Sequence, residues 1–179
     1  MNGYKYPNHA EAVKEFTEGR TGKKCPETPI PFDRAAGERI IGFKLSEVVE
    51  FARTLPGINS WQEAAELVAS KATCDINTVE PKFVNNPEDP AFDEVVIVAE
   101  QGDAFTDDWY YTLDSCSGQG INLDRFFDEV HDANMRKKHA DGTFHLKEVD
   151  GHTKVAKPEG WTGPDVEKVA RDAFGNGSW

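Results

Sequence analysis

One segment of the chain is predicted to form a long helix that is apolar on two faces. Residues 34–55 follow the 3.6-residue period of an α-helix, between the favourable N-cap Asp33 and the helix-stopping pair Pro56-Gly57. One face of this helix is an apolar stripe of Ile41, Leu45, Val48, Ala52 and Leu55. The other side is also apolar and carries Ile40, Phe43 and Phe51. The helix is therefore apolar on two faces.

Two carboxylates interrupt the second apolar face of this helix. Glu47 and Glu50 are three residues apart, which puts them on the same side of the helix, one turn from each other. A carboxylate set among apolar side chains needs a partner, and a metal ion is one such partner. The plainer alternative is that both glutamates face solvent.

A second predicted helix, over residues 93–116, carries a longer row of acids. Four acids lie on one stripe, at Glu100, Asp103, Asp107 and Asp114. The opposite stripe is formed by Phe105, Trp109, Leu113 and Cys116. No Lys or Arg of this helix relieves the repulsion among the acids, although each like-charged pair is unfavourable. The row indicates either a solvated acidic face or a site for cations, and the β-branched start, EVVIVA, is also compatible with a strand.

The two acidic helices predict a metal site if they pack as antiparallel neighbours. Glu47 and Glu50 of the first would then meet Glu100, Asp103 and Asp107 of the second. Oxygen ligands suit Mg²⁺ or Mn²⁺, which keep several waters and bind substrate phosphates. Such a site would clamp a polyphosphate and activate water for in-line attack.

A third predicted helix, over residues 123–138, changes character along one face. Its core stripe consists of Leu123, Phe126, Phe127 and Val130, and the same period continues to Asn134 and Lys137. An amide and an ammonium therefore occupy positions where core side chains belong. They are expected either to contact the phosphates or sugar of a ligand, or to mark where the helix leaves the core.

The rest of the chain completes a mostly helical pattern. Shorter helices are predicted over residues 9–18, 61–71 and 165–174, with a loop insertion at 73–93 and an extended, hairpin-like tail from Asp141. Since no internal repeat divides the sequence, residues 1–179 are expected to form a single domain.

Charge and cysteine content restrict the classes of partner. The net charge of −12 disfavours binding to nucleic-acid backbones and anionic membranes. The odd number of cysteines, Cys25, Cys74 and Cys116, and the absence of a CxxC pair fit a reducing compartment. Without a membrane-spanning run or a signal-peptide pattern, the protein is expected to be soluble and cytoplasmic, in the host cytoplasm if it is phage-encoded.

The segment over residues 120–166 resembles a known family. GINLDRFFDEVHDANMRKK followed by DGTFHLKEVDGHTKVAKPEGWTGPDV is similar to the C-terminal half of phage and bacterial MazG-like proteins, in the phosphoribosyl-ATP pyrophosphohydrolase superfamily. The matching residues are Asp128, Glu129, His131, Asn134, Met135, Lys137, Lys157, Gly160, Trp161, Pro164 and Asp165. Upstream, Asp103-Ala-Phe-Thr-Asp107 resembles the family's D-A-L-A-D segment, and Glu47-x-x-Glu50 its E-x-x-E motif.

The resemblance implies a fold, a reaction and a site. It implies an all-α, MazG-like helical bundle that assembles as a homodimer or homotetramer. It also implies Mg²⁺-dependent hydrolysis of nucleoside triphosphates to the monophosphate and pyrophosphate, with (d)GTP, or alternatively dUTP or dCTP, as the substrate. The family's usual acid three residues before Asp107 is replaced here by Ala104, so that either Asp103 alone or Glu100 together with Asp103 is expected to take its place.

Residue roles follow from the same resemblance. The metal ligands are expected to be Glu47, Glu50, Glu100, Asp103 and Asp107. Either Glu47 or Glu50 would also orient the attacking water as the base. Asn134, Lys137 and Lys157 are expected to bind phosphate. Trp161 is expected either to stack on the base or to anchor the tail, and His131 to be structural.

Two other classes fit parts of the pattern. A ferritin-like di-iron protein needs two E-x-x-H helices, and the chain offers one near match, Asp128-x-x-His131. A non-enzymatic acidic decoy that mimics DNA would account for the net charge. It would, however, spread its acids over an exposed surface, whereas here they alternate with Phe, Ile and Tyr on particular helix faces.

Overall fold

The computed structural model describes residues 5–72, 83–149 and 152–176. These contain six helices: α1 (His9–Thr21), α2 (Arg34–Arg53), α3 (Trp61–Ala72), α4 (Glu94–Gly118), α5 (Leu123–Met135) and α6 (Val166–Asn176). They also contain an antiparallel hairpin, β1 (Leu146–Val149) and β2 (His152–Val155), in which Leu146 is paired with Val155. Each predicted helix is present, and the extended tail contains the expected hairpin.

Side-chain caps explain why the helices begin where they do. Asp33 accepts a hydrogen bond from the Ala36 N–H at 2.7 Å at the start of α2. At the start of α3, Ser60 accepts from the Glu63 N–H at 3.1 Å, and the Glu63 carboxylate accepts from the Asn59 N–H at 2.7 Å. This exchange resembles a capping box displaced by one residue.

The β-branched segment EVVIVA is helical. Asp93 precedes it as a cap and accepts the Val95 N–H at 2.9 Å, and Ile97 is the buried residue of the first turns. Residues 83–93 form the irregular end of the predicted loop insertion, with local turns in which Asn86 and Asp89 side chains accept nearby N–H groups. Residues 73–82, including Cys74, lie outside the described residues.

Two helices end earlier than their sequence period indicates. Helix α2 ends at Arg53 rather than Leu55, because the Thr54 N–H turns back to the carbonyls of Ala52 and Phe51. Helix α5 ends at Met135 rather than Lys138, because Lys138 pairs with Phe144 in an isolated antiparallel bridge. The intervening turn is closed by the His139 N–H on the Thr143 carbonyl at 2.8 Å, with Gly142 at a φ of 79°. Lys137 therefore lies just beyond the helix.

The chain divides into two compact units, residues 28–105 and residues 1–27 with 106–179. In the first unit α2 packs on α3, and the described buried residues are Ala52, Ala64 and Ile97. In the second unit α5 packs against α1 and α6, and the described buried residues are Ala12, His131, Ala133, Phe144 and Ala173. The single domain expected from the sequence stays a prediction. In the described part of the chain, no helix combines the length and apolar character needed to cross a membrane.

We expect Gly19→Ala to lower the free energy of unfolding by a net value of about 1 kcal/mol. The cost of the steric clash is expected to exceed the similar gain that Ala brings over Gly inside a helix. A Cβ at Gly19 would lie 2.9 Å from the ring of buried Phe144, which packs edge-on against Phe16. Gly102→Ala is the matched control, because nothing lies within 4 Å of its added Cβ, and it should raise stability by about 0.5–1 kcal/mol. Urea unfolding measures both. Equal stabilisation by the two substitutions would contradict the packing argument.

Candidate functional site

The four residues predicted to bind substrate lie together at the C-terminal end of α5. The Trp161 indole donates from Nε1 to the Ala133 carbonyl at 2.9 Å. The Lys157 ammonium lies 4.3 Å from the centre of the Trp161 ring, and the Lys137 ammonium 5.4 Å from it. Lys137 Nζ also donates to Asn134 Oδ1 at 2.6 Å. We call Asn134, Lys137, Lys157 and Trp161 the lysine–tryptophan cluster.

This cluster carries uncompensated positive charge. Among the described residues, no carboxylate lies within 4.0 Å of either ammonium. Burial lowers the pKa of Lys137 from its usual value, and the nearby Lys157 ammonium lowers it further. Two cations held close together without a counter-ion favour an anionic ligand.

The chain reaches this arrangement through local turns. After β2, the Trp161 N–H donates to the Pro158 carbonyl at 3.1 Å, and Gly160 supplies the positive φ of 74° that this turn requires. Glu129 of α5 then accepts the Asp165 N–H at 3.0 Å, which ties the start of α6 to the same helix. The segment bearing Lys157 and Trp161 is therefore fixed to α5 through Trp161 and Asp165.

The predicted metal ligands are distributed over the two units. Glu47 and Glu50 of α2 and Glu100 and Asp103 of α4 belong to residues 28–105, whereas Asp107 belongs to the other unit. All five are exposed, and none forms an ion pair or side-chain hydrogen bond with a described residue. Within residues 5–72, 83–149 and 152–176, no three acid, His or Cys side chains form a group able to hold a metal ion.

Within residues 28–105, helices α2 and α4 approach each other through Phe105, which lies on the stripe of α4 opposite its acids. The Lys44 ammonium lies 4.5 Å from the centre of the Phe105 ring, and Phe32 meets the same ring edge-on at 5.6 Å. Glu47 follows Lys44 by one helical turn, whereas Asp103, two residues before Phe105, lies on the opposite side of α4 from this contact. The five acids offer oxygen donors alone and have no partner among the residues that the structure describes, which fits a hard divalent cation. Their roles as metal ligands stay a prediction.

The sequence interpretation missed an anchor for the N-terminal segment. The Lys5 and Tyr6 N–H groups donate to the two carboxylate oxygens of Asp128, at 2.8 and 3.1 Å. The Tyr6 hydroxyl donates to Asp132 at 2.6 Å, and the Lys5 ammonium pairs with the same carboxylate. Burial acts to raise the pKa of Asp132, but the hydrogen bonds from Lys5 and Tyr6 outweigh it and lower that pKa. The i, i+4 spacing of Asp128 and Asp132 was the available signal.

His131 lies beneath this anchor and is 3% exposed. Its ring packs edge-on against Tyr6 at 4.4 Å and parallel to Phe127 at 5.6 Å. Burial lowers the pKa of His131, and its Nε2 finds no partner among the described residues. This neutral aromatic setting agrees with the structural role expected from the sequence.

Each unit also contains a cavity. In residues 1–27 with 106–179, a cavity of about 530 Å³ is lined mainly by apolar side chains of α1, α4 and α5, among them Val13, Trp109 and Phe127. In residues 28–105, a cavity of about 710 Å³ has a mixed lining that includes Phe32, Arg34, Asn86, Phe92 and Gln101. The first continues the core stripe of α5, and the second lies at the start of α2 and α4.

We expect Lys157→Met to raise the pKa of Lys137 while leaving it below that of a free lysine, since burial remains. Because folding lowers the pKa of Lys137, the folded state binds fewer protons than the unfolded state at pH values between the lowered pKa and 10.5. The contribution of Lys137 to stability therefore rises with pH across that window. An NMR titration of lysine side-chain carbons measures the shift. Lys154→Met, on the exposed hairpin, is the charge-matched control, and an unchanged Lys137 pKa in Lys157→Met would contradict the proximity argument.

Comparison with known proteins gives one structural relative. No protein-family model matches the chain, and no curated protein matches it. The structure is similar to the crystal structure of a "putative NTP pyrophosphohydrolase" from Exiguobacterium sp. 255-15, with a TM-score of 0.72 and 25% sequence identity. The similarity covers 95% of this chain and 98% of that chain. It confirms the all-α, MazG-like helical fold with a small hairpin in the C-terminal tail.

Proposed function

We propose that this chain hydrolyses a nucleoside triphosphate to the monophosphate and pyrophosphate in a metal-dependent reaction. The observation that carries the proposal is the structural similarity to an NTP pyrophosphohydrolase along 95% of the chain. The lysine–tryptophan cluster supports it independently, because two ammoniums and an amide without a carboxylate partner in the described residues suit a phosphate ligand.

The proposed metal ligands are the five acids of α2 and α4, namely Glu47, Glu50, Glu100, Asp103 and Asp107. When bound, Mg²⁺ or Mn²⁺ neutralises phosphate charge and lowers the pKa of a coordinated water. Glu47 and Glu50 are exposed and one turn apart on α2, so either can orient a water and accept its proton. Asn134, Lys137 and Lys157 bind phosphate oxygens and hold the substrate in place.

The base is the least constrained part of the substrate. The resemblance to phage proteins favours dGTP or GTP, with dUTP and dCTP as alternatives from the house-cleaning members of the same class. An endpoint assay with each common NTP and dNTP, with Mg²⁺ or Mn²⁺ and with EDTA, distinguishes them by chromatography of the products. Metal-dependent release of monophosphate and pyrophosphate is expected. Release of diphosphate and orthophosphate would contradict the reaction, and the absence of any turnover would favour a modified-nucleotide substrate or the acidic decoy.

We expect Glu47→Gln and Asp107→Asn each to lower kcat at least about 100-fold without unfolding the protein, because each removes a charged oxygen ligand or base. Glu38→Gln is the control on α2, where the carboxylate is already paired with Arg34. Asp114→Asn is the control on α4. Steady-state hydrolysis and circular dichroism measure the two effects, and full turnover by a folded Glu47→Gln variant would overturn the assignment.

We further propose that the chain functions as a homodimer or homotetramer. Most of the apolar stripe of α2 is open to solvent in the single chain, with Ile41 59% exposed and Leu45 and Val48 nearly half exposed, and Phe51 on the other face is 64% exposed. Covering one such side chain is favourable by about 1.5–3 kcal/mol, so an uncovered stripe of this length favours self-association. A second copy supplies an equally apolar surface.

Ile41→Glu is expected to convert the assembly to monomers, because it places a charge on the exposed part of the stripe. Leu146→Glu, a comparable change on exposed β1, should leave the assembly intact. Light scattering coupled to size-exclusion chromatography gives the mass of each variant. A wild-type monomer at micromolar concentration, or an unchanged assembly in Ile41→Glu, would contradict this interface.

A further inference from the structure

The position of Trp161 does not suit stacking on a nucleobase. Its only indole donor is used by the carbonyl of Ala133, a residue that is 1% exposed. Two ammoniums, those of Lys157 and Lys137, already lie over the ring at 4.3 and 5.4 Å. Both distances fall within the range of cation–π attraction, about 6 Å from the ring centre.

The Trp161 ring stabilises the positions of the Lys137 and Lys157 ammoniums. A flexible lysine normally turns its ammonium towards water or a carboxylate, and two of them repel each other. Here the electron-rich face of one indole attracts both, and Asn134 Oδ1 fixes Lys137 by accepting its N–H at 2.6 Å. Because the indole is itself fixed to the backbone of α5, the positions of both charges are tied to that helix.

We propose that Trp161 is a positioning residue that holds the Lys137 and Lys157 ammoniums as a receptor for the pyrophosphoryl end of a polyphosphate. The inference deepens the proposed nucleotide hydrolysis and rests on it for the identity of the substrate. It replaces base stacking by Trp161 with an electrostatic role, in which the indole organises the groups that contact phosphate.

The chemistry of the cluster favours a multiply charged phosphate over other ligands. Lys137 and Lys157 offer N–H donors, and the Asn134 amide nitrogen adds donors because its oxygen is used by Lys137. A nucleobase needs donors and acceptors together, whereas phosphate oxygens need donors alone. Two positive charges on the protein also match the two or more negative charges of pyrophosphate, and a singly charged ligand would leave one ammonium uncompensated.

The test is the binding of inorganic pyrophosphate to the full-length chain, measured by titration calorimetry in EDTA so that metal ligation does not contribute. Trp161→Leu removes the aromatic face and should weaken binding at least about tenfold. Trp161→Phe keeps an aromatic face but loses the indole donor that ties the ring to α5, and should bind more tightly than Trp161→Leu but more weakly than the wild type. Lys154→Met is the charge control and should bind like the wild type. Circular dichroism establishes that each variant is folded.

Recovery of pyrophosphate binding in Trp161→Phe, relative to Trp161→Leu, distinguishes a positioning role of Trp161 from a merely structural one. If folded Trp161→Leu binds pyrophosphate like the wild type, or if Trp161→Phe binds as weakly as Trp161→Leu, the proposal is overturned. A second readout is the Lys137 pKa, which pyrophosphate should raise in the wild type and in Trp161→Phe but much less in Trp161→Leu. If the wild type does not bind pyrophosphate, the proposal that the two lysines form a pyrophosphate receptor is also wrong.

The outcomes for this receptor and for nucleotide hydrolysis are distinct. Pyrophosphate binding that depends on the aromatic ring, in a chain that hydrolyses no nucleotide, would support the role of Trp161 and contradict the proposed reaction. Hydrolysis with an unchanged KM and kcat in Trp161→Leu would support the reaction and overturn the positioning role.

Discussion

The carboxylates on the polar side of α5 determine how the unit of residues 1–27 and 106–179 is organised. Asp128 accepts two consecutive backbone N–H groups from the N-terminal segment, and its neighbour Glu129 accepts the N–H of Asp165 at the start of α6. Bonds from backbone N–H to a carboxylate are among the stronger hydrogen bonds in proteins. One turn of a single helix thus anchors segments that are far apart in sequence, and the lysine–tryptophan cluster depends on the same helix.

Much of the fold could be predicted because the start and the period of a helix depend on residues that are close together in the sequence. Asp33 and Ser60 are caps in the structure as their side chains indicate, and the period-3.6 pattern identified α2, α4 and α5. The errors lie at helix ends, where periodicity gives no information about competing partners. Lys138 leaves the helical pattern because it pairs with Phe144, a contact set by the turn that follows.

The candidate site divides into a predictable and an unpredictable part. One stripe of α5 passes from apolar residues to Asn134 and Lys137. Because this pattern lies within a single helix, the sequence was enough to identify these two members of the lysine–tryptophan cluster. The contact of Tyr6 with Asp132 joins residues that are 126 positions apart, and no local pattern reports it. Whether acids on separate helices converge also depends on helix packing, and in the described residues α2 and α4 present theirs to solvent.

The acidic composition of α4 has a consequence for the physical behaviour of the protein. Its 25 residues contain carboxylates and no Lys or Arg, so its electrostatic self-energy is repulsive along its length. Dissolved ions screen repulsion as they screen attraction. Helices held by ion pairs weaken as ionic strength rises, whereas α4 is expected to become more stable as dissolved ions screen the repulsion among its carboxylates.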